Sequence, residues 1–470
     1  MRSISPPSLP ARVPASPPAR PRALAVALGL AVGLATSASA QAQSLQELYD
    51  AARAYDAALL SARAALEATQ YRIDQTYALR RPTVGLGVSG NYNLSRTPDA
   101  PTRSANNTTI GASVNGSQSL FNRANDATIA QAEKSLDVSR ADVESAEQDL
   151  IVRLSQAYFD VLTAQDTLAS ARSNLSAISE QLASAKRNFE VGTASITDTR
   201  EAQAKYDLAR ATEIVASNDL LTRRIALDQL VGRTSVEPKA LALPFAPPPV
   251  APPNADDWVA RADTEHPLIR KARLALEVAR LETTKAKAGN LPTVGVTGSI
   301  GKGQASSTGD VVPTGAPFSV PYSSRSPTTS ANIGITLNLP LFAGYAVQNR
   351  IKETLVLEDK TQADLEAARR GVAQATRQFF YGVRSGAAQV SALEAAESSS
   401  KLALEATQLG YKVGVRVNLD VLNAQAQLYT TQAQLAKARY DVLLAGLRLR
   451  QASGRLTADD VKAVNQLLVR

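Results

Sequence analysis

The side chains that could carry out chemistry in this sequence are few and scattered along the chain. There is no cysteine and only one histidine, His266, so thiolate metal sites and multi-histidine metal sites are not possible. Residues 85–90 fit the dinucleotide-binding pattern GxGxxG, but they lie in a period-two pattern typical of a β-strand, and no helix begins there. His266 has no nucleophile motif near it, which favours a surface position, and Asp459-Asp460 is typical of the acidic first turn of a helix. No catalytic residue, cofactor site or metal site is predicted, and the chain is not expected to be an enzyme.

Two glycines, each followed six residues later by an aspartate, are more informative. Gly192 precedes Asp198, and Gly414 precedes Asp420 at an offset of 222 residues. Glycine permits the chain to reverse direction, so each pair is expected to mark a turn between two helices. The constant offset predicts an internal duplication.

The elements that position these turns are long helices. Residues 122–191 contain neither glycine nor proline, and at about 1.5 Å per residue they would form a rod of roughly 100 Å. Two apolar series with a spacing of seven residues predict a coiled-coil seam along this rod. The first series is Leu154, Val161, Leu168, Leu175, Leu182 and Phe189, and the second is Leu150, Ala157, Ala164, Ala171, Ile178 and Ala185.

Each repeat also contains two segments in which apolar residues alternate with small or polar ones. The clearest segment has Ile333, Ile335, Leu337, Leu339 and Leu341 on one face. Four strands of about ten residues with this alternation are typical of the outer membrane, although a soluble sheet with one buried face is the alternative. Four strands cannot close a barrel, and lipid tolerates no open sheet edge. Several copies of the chain are therefore expected to share one barrel.

The N-terminal residues 1–40 are predicted to be an export signal. They combine four arginines, an apolar run at 23–35 and the cleavage motif Ala38-Ser39-Ala40, so the mature chain is expected to begin at Gln41. The formal net charge of +8 includes those four arginines, and the other charges are interspersed in sign. That distribution is typical of a solvated helix surface and not of a nucleic-acid-binding protein. No later segment is apolar over the length that a membrane helix needs.

The turn segments 191–198 and 411–420, together with the duplicated layout and the two strand pairs, resemble the TolC-type outer-membrane factor family, the exit ducts of Gram-negative tripartite exporters. The resemblance covers essentially the whole mature chain. It implies a membrane α/β fold: a homotrimer in which four transmembrane β-strands per chain form a shared 12-stranded barrel in the outer membrane, continued into the periplasm by a long α-helical coiled-coil barrel. It implies a passive duct for type I protein secretion or small-molecule efflux. Its expected partners are a periplasmic adaptor (membrane fusion) protein, an inner-membrane ABC or proton-driven transporter, and outer-membrane lipid.

The same resemblance assigns roles to residues near the turns. Asp420 would line the narrow periplasmic mouth of the duct. Tyr411 and Arg416 would bridge from the second repeat to the turn of the first repeat, where Asp198 lies, and hold the mouth closed. An arginine-carboxylate bond suits such a role because it is directional and can be released without unfolding the protein. From the residues alone, Asp198 and Asp420 could instead cap or complement the N-termini of helices.

One position departs from the family pattern. Where the family often has a second aspartate one helical turn after the first, this chain has Asn423. The constriction would then carry three carboxylates instead of six, which predicts weaker block by multivalent cations. Gly192 and Gly414 mark the turns that the adaptor is expected to meet end-on.

We therefore expect five segments: a signal peptide at 1–40, a first repeat at 41–240, a Pro-rich linker at 241–257, a second repeat at 258–455 and a C-terminal segment at 456–470. The resemblance assigns the linker and the C-terminal segment to an equatorial region around the helical barrel. The helical pattern of the second repeat is expected to continue to the end of the chain, at Val469-Arg470.

Two alternatives are weighed against the duct. A trimeric coiled-coil surface adhesin anchored by a β-barrel has its anchor at the C-terminal end, whereas here the strands lie mid-chain in both repeats. A soluble periplasmic scaffold would not fractionate with outer membranes. The sequence does not identify the cargo, although the lack of a lipid-bearing cysteine favours the general or protein-secretion branch of the family.

Overall fold

Two consecutive repeats of helices and strands make up the fold. The computed structural model describes residues 42–97 and 102–469, so the predicted signal peptide at 1–40 lies outside the described residues. The first repeat contains α1 (Leu45–Tyr55), α2 (Ala57–Tyr77), β1 (Thr83–Arg96), β2 (Thr102–Phe121), α3 (Arg123–Glu190) and α4 (Ile196–Val231). The second contains, in the same order, α5 (Ala255–Glu265), α6 (Pro267–Lys287), β3 (Thr293–Val311), β4 (Val320–Asn338), α7 (Ala346–Lys412) and α8 (Asn418–Ala452), and is followed by α9 (Ala458–Asn465). The repeated order confirms the predicted duplication.

The longest elements are the rods α3 and α7, with 68 and 67 residues. At 1.5 Å per residue, each is about 100 Å long. Helix α3 begins where the side chain of Asn122 accepts the N–H groups of Ala124 and Asn125. The predicted seam of α3 is largely buried, at Leu150, Leu154, Val161, Ala164, Leu168, Ile178, Leu182 and Ala185. The rod predicted over 122–191 is therefore confirmed.

The four strands form one antiparallel sheet in the order β1-β2-β3-β4, and β2 pairs with β3 to join the two repeats. The strands have 14, 20, 19 and 19 residues, so the expected length of about ten was wrong. Apolar residues occupy only part of each strand, and the remainder is rich in Ser, Thr, Asn and Gly, which gave no alternating signal. Leu339 and Leu341, assigned to the last strand from the sequence, lie just beyond its end at Asn338.

The main hydrophobic core lies near the middle of α3. Residues of α1, α3, α8 and α9 pack there with residues of the segment that joins the repeats, including Val236, Leu241 and Phe245. The expected helical end of the chain was wrong, because α9 stops at Asn465 and Leu468 pairs antiparallel with Leu241. On either side of this bridge the N–H of Ala242 donates to the carbonyl of Leu467 and the N–H of Val469 to that of Ala240, so the C-terminal segment satisfies its backbone groups with the linker and not in a further helical turn.

Candidate gate at the helical tips

The two turns share one backbone conformation. We call residues 191–198 the first tip and residues 411–420 the second tip. Gly192 has a φ of 78° and Gly414 a φ of 82°, and no atom lies within 4 Å of a Cβ placed at either glycine. Glycine is therefore required by the left-handed backbone and not by lack of space. The carbonyl of Asn188 accepts two N–H groups from the first tip, as the carbonyl of Gly410 does from the second.

In the first tip, Asp198 is engaged with its own backbone. Ser195 precedes α4, and its hydroxyl accepts the N–H of Thr197 at 3.0 Å. The Asp198 carboxylate in turn accepts the N–H of Ser195 at 3.2 Å, which completes a capping box. The side chain of Asp198 thus stabilises the start of α4, in agreement with the capping interpretation of this residue.

In the second tip, the equivalent carboxylate has a different partner. Val417 stands where Ser195 stands in the first repeat, and it provides no side-chain cap for α8. Asp420 instead lies 3.6 Å from the guanidinium of Arg416, one turn away, and both side chains are partly exposed. The stem of Arg416 packs over Gly410, where an added Cβ would lie 2.8 Å from Cγ of the arginine. Tyr411, the residue before the last one of α7, is half-buried.

The structure brings Arg416 and Asp420 together and keeps Asp198 with Ser195. Among the described contacts of this one chain, neither Arg416 nor Tyr411 bonds to the first tip. Their bridge to the first repeat, which the resemblance implies for the closed mouth, stays a prediction.

Two contacts that the sequence did not indicate join the first turns of α8 to the first repeat. The ammonium of Lys205 in α4 donates to the side-chain oxygen of Asn423 in α8 at 3.0 Å. The side-chain amide of Gln181 in α3 donates to Asn418 at the start of α8. Leu422 is buried between α3 and α4 beside these contacts. The partners lie more than 200 residues apart on different helices, so no local pattern could have paired them.

The other candidate residues have structural roles. Residues 85–90 lie within β1, as expected. His266 is half-buried and not on the open surface as expected, because it precedes α6 and its Nδ1 accepts the N–H of Leu268 at 3.1 Å. Burial lowers the pKa of His266. Asp459 and Asp460 lie in the first turn of α9, and Asp460 closes a capping box with Thr457. None of the described helices contains an 18-residue stretch apolar enough to cross a membrane.

Comparison with known proteins agrees with this architecture. The family model described as "Outer membrane efflux protein" matches residues 48–233 and 258–455. The outer membrane protein TolC of Vibrio cholerae is 31% identical over 429 residues, covering 91% of this chain and 94% of that protein. The alkaline protease secretion protein AprF of Pseudomonas aeruginosa is 33% identical over 322 residues, covering 68% of this chain and 64% of that protein. The crystal structure of the outer membrane protein VceC from Vibrio cholerae superposes with a TM-score of 0.72 at 19% identity, covering 87% of this chain and 96% of that one.

These likenesses confirm the predicted fold and the predicted outer-membrane location. The chain therefore belongs to the outer membrane efflux protein family, and it is a passive exit duct of the outer membrane that extends into the periplasm, not an enzyme.

Proposed function

We propose that three copies of the chain form one duct that carries cargo delivered by an inner-membrane transporter and a periplasmic adaptor. Each copy contributes four strands to a 12-stranded barrel, and α3, α4, α7 and α8 to a helical barrel below it. The linker at 241–257 and the segment at 456–470 form the equatorial region. The two tips gate the periplasmic end.

The observation that carries this proposal is a difference between equivalent positions of α8 and α4. Leu443 and Leu447 of α8 are 4% and 3% exposed, because α8 packs against α3. Their counterparts 222 residues earlier, Leu221 and Ile225 of α4, are 57% and 58% exposed. In the described part of the chain, α4 has no comparable packing against α7, although α7 is the counterpart of α3.

The long helices α3 and α7 differ in the same way: α3 is buried where it meets α8, and α7 is exposed where it would meet an α4. Phe159 of α3 is buried and stacks on Tyr440 of α8 with ring centroids 5.8 Å apart. Its counterpart in α7, Tyr381, is exposed. A second copy that places its α4 against α7 would bury these faces as α8 and α3 are buried within one chain.

In the part of the chain that the structure describes, the sheet likewise lacks one pairing that the internal repeat leads us to expect, that of β4 with β1. Strands β2 and β3 join the repeats in one chain, and the equivalent pairing of β4 with β1 is not made within the described residues. Lipid does not tolerate open strand edges, so β4 of one copy is expected to pair with β1 of the next. Such head-to-tail contacts close into a ring when the rotation between copies allows it. Three copies give 12 strands, an even number within the range of outer-membrane barrels.

The gate is proposed to consist of Asp420 at the constriction, with Tyr411 and Arg416 holding the second tip to the neighbouring first tip at Asp198. Asn423 leaves the next turn of α8 without a carboxylate. The turns at Gly192 and Gly414 form the end that the adaptor meets. The support for this arrangement is that Asp420, unlike Asp198, is not used by its own helix start.

The cargo is proposed to be protein exported by a type I system. AprF of Pseudomonas aeruginosa is named as an alkaline protease secretion protein, and this chain has no cysteine to carry a lipid anchor. Small-molecule efflux through the same duct is compatible with the family assignment.

Cysteine cross-linking tests the proposed assembly, since the native chain has no cysteine. Asn218 and Tyr381 are the counterparts of Tyr440 and Phe159, so they are expected to face each other across neighbouring copies. Asn218→Cys with Tyr381→Cys, treated with a short thiol cross-linker in outer membranes, should give covalent dimers and trimers.

The control pairs Asn218→Cys with Lys401→Cys, which lies 20 residues further along α7, or about 30 Å. Cross-linked species in the control but not in the first pair would contradict the proposed packing. A stable, water-soluble monomer of the processed chain would contradict the assembly itself.

A further inference from the structure

Two cations on neighbouring strands, Lys302 in β3 and Arg325 in β4, lie on the apolar face of the sheet, which also carries Arg96 in β1. The pairing of these two strands contains no register shift, so residues an even number of positions apart share one face. Lys302 therefore shares the face of Ile300, and Arg325 shares the face of Ile333. Both Lys302 and Arg325 are exposed.

This face is the one that lipid contacts. One row of cross-strand neighbours on it consists of Leu86, Val114, Ile300 and Ala331, and the next row consists of Val88, Ala112, Lys302 and Thr329. The opposite face carries mostly glycine, serine, threonine and asparagine. An outer-membrane barrel turns its apolar face outward to lipid, so the lysine lies on the outside of the barrel, directly above the apolar series of β3 that ends at Ile300.

The height of the two cations places them in the outer leaflet. Lys302 pairs with Thr329, eight residues along β4 from Leu337. At about 3.3 Å per residue and a strand tilt of about 40°, Lys302 lies about 20 Å and Arg325 about 30 Å above Leu337. The apolar band of an outer-membrane barrel is about 25 Å tall, so the two residues bracket its upper edge. The long helices follow Phe121 and Phe342 at the other end of the strands, so the upper edge is the one remote from the periplasm.

Neither cation has an acidic partner in the described part of the chain. The only acidic residue in the four strands is Asp310, which accepts a hydrogen bond from the hydroxyl of Ser104 at 3.0 Å. Between Lys302 and Arg325 the sheet forms a shallow groove whose floor is apolar at Val88, Ile110, Ala112 and Pro327 and polar at Thr108, Gln304 and Ser306. The groove thus combines two unpaired positive charges with a surface that suits an acyl chain.

We infer that this groove binds one phosphorylated lipid of the outer leaflet, with its phosphates between Lys302 and Arg325 and an acyl chain along the apolar part of the floor. Ammonium and guanidinium groups both bind phosphate through charge-assisted hydrogen bonds. The Cα atoms of the two residues are separated by about 13 Å along the strands, which two long side chains can span from either side of one headgroup. The inference depends on the outer-membrane location and on the outward apolar face, not on the proposed gate.

Lipid-dependent thermal stability of the detergent-solubilised protein tests the inference. Bisphosphorylated lipid A is expected to raise the Tm of the native chain, whereas dephosphorylated lipid A and inorganic phosphate leave it unchanged. In Lys302→Gln with Arg325→Gln most of the lipid-dependent rise should be lost, while Arg325→Lys, which keeps the charge, should retain it.

Lys352→Gln with Arg384→Gln is the matched control, because it removes two exposed cations from α7 instead of the sheet. It should behave as the native chain does. An equal rise of Tm in the sheet double variant, or an equal rise with dephosphorylated lipid A, would overturn the inference. The sheet double variant is expected to keep its single-channel conductance, so a failure of lipid binding remains distinguishable from a failure of the duct.

Discussion

The two tips have the same backbone conformation, but the aspartate at the equivalent position has a different partner in each. Both contain a left-handed glycine, both satisfy two N–H groups with one carbonyl, and both have an aspartate six residues after the glycine. In the first tip the aspartate is held by Ser195 in a capping box, whereas in the second it faces Arg416. The tips therefore differ in side chains and not in fold.

This difference supports the proposed gate, because the side-chain pair of the second tip can open at little cost in stability. Val417 stands in the place of the capping serine and offers α8 no hydroxyl, the Asp420 carboxylate faces Arg416, and Gly410 leaves room for the arginine stem. A partly exposed arginine-carboxylate pair of this kind contributes about 1 kcal/mol or less, so it can open without unfolding the tip. In the proposed gate the first tip, with its complete cap, is the fixed partner.

The largest effect is expected from removal of the second tip's polar side chains. Tyr411→Phe with Arg416→Ser should raise the single-channel conductance in planar bilayers severalfold, because Asp420 and the neighbouring first tip lose their proposed ties. Asp198→Asn, which changes the first tip, should raise it less. An unchanged conductance in the double variant would remove the latch role from Tyr411 and Arg416.

Substitution of Gly410 tests whether the position of the Arg416 guanidinium matters, because it moves this group without removing its charge. Gly410→Ala should displace the stem of Arg416, because the new Cβ would lie 2.8 Å from its Cγ, and should raise the conductance less than the double variant does. Gly382→Ala is the control, since no atom lies within 4 Å of its added Cβ. Both changes favour a helix by up to about 1 kcal/mol, so neither is expected to unfold α7.

The next largest effect concerns the charge one turn into α8, where the second tip meets the first repeat. Asn423→Asp should lower the concentration of a trivalent cation that half-blocks the channel by on the order of tenfold, because a unit-charge contact at about 4 Å contributes about 1 kcal/mol or more at a protein surface. Lys205 lies against Asn423 and should partly neutralise the new carboxylate.

The combination Asn423→Asp with Lys205→Gln should therefore give stronger block than Asn423→Asp alone. A conductance titration in which Asn423→Asp changes nothing would show that this turn of α8 does not line the constriction. Equal block in the single and the combined variant would show that Lys205 does not act on it.

Much of the fold was predictable because periodicity is a local property of the sequence. The spacing of seven predicted α3, the offset of 222 predicted the second repeat, and the glycines predicted the positions of both tips. The full length of the strands was not predictable, because the upper halves of β2, β3 and β4 hold few apolar residues and no regular alternation. The pairing of Leu468 with Leu241 was missed for a related reason, since a single bridge between distant segments has no period.

The candidate site was predictable only in part. Its residues were located through the resemblance, but their partners depend on packing between helices. Nothing near Lys205 in the sequence indicates Asn423, and the space that Gly410 leaves for Arg416 follows from the path of the chain through the turn. Likewise, Ser195 and Val417 were not recognised as the residues that distinguish the tips.

The smallest effect is expected from exchange of the helix caps, which tests the cause of the difference most directly. Ser195→Ala should remove the bond from the N–H of Thr197 and destabilise the start of α4 by about 1 kcal/mol. Val417→Ser should stabilise the start of α8 through its hydroxyl and favour the full capping box, in which Asp420 turns from Arg416 to the backbone N–H of residue 417, as Asp198 accepts the N–H of Ser195. Hydrogen exchange of the backbone N–H groups at 196–199 and 418–421 should accelerate in the first variant and slow in the second. If exchange at 418–421 is unchanged in Val417→Ser, the residue before the helix does not decide whether the aspartate serves its own backbone or the arginine.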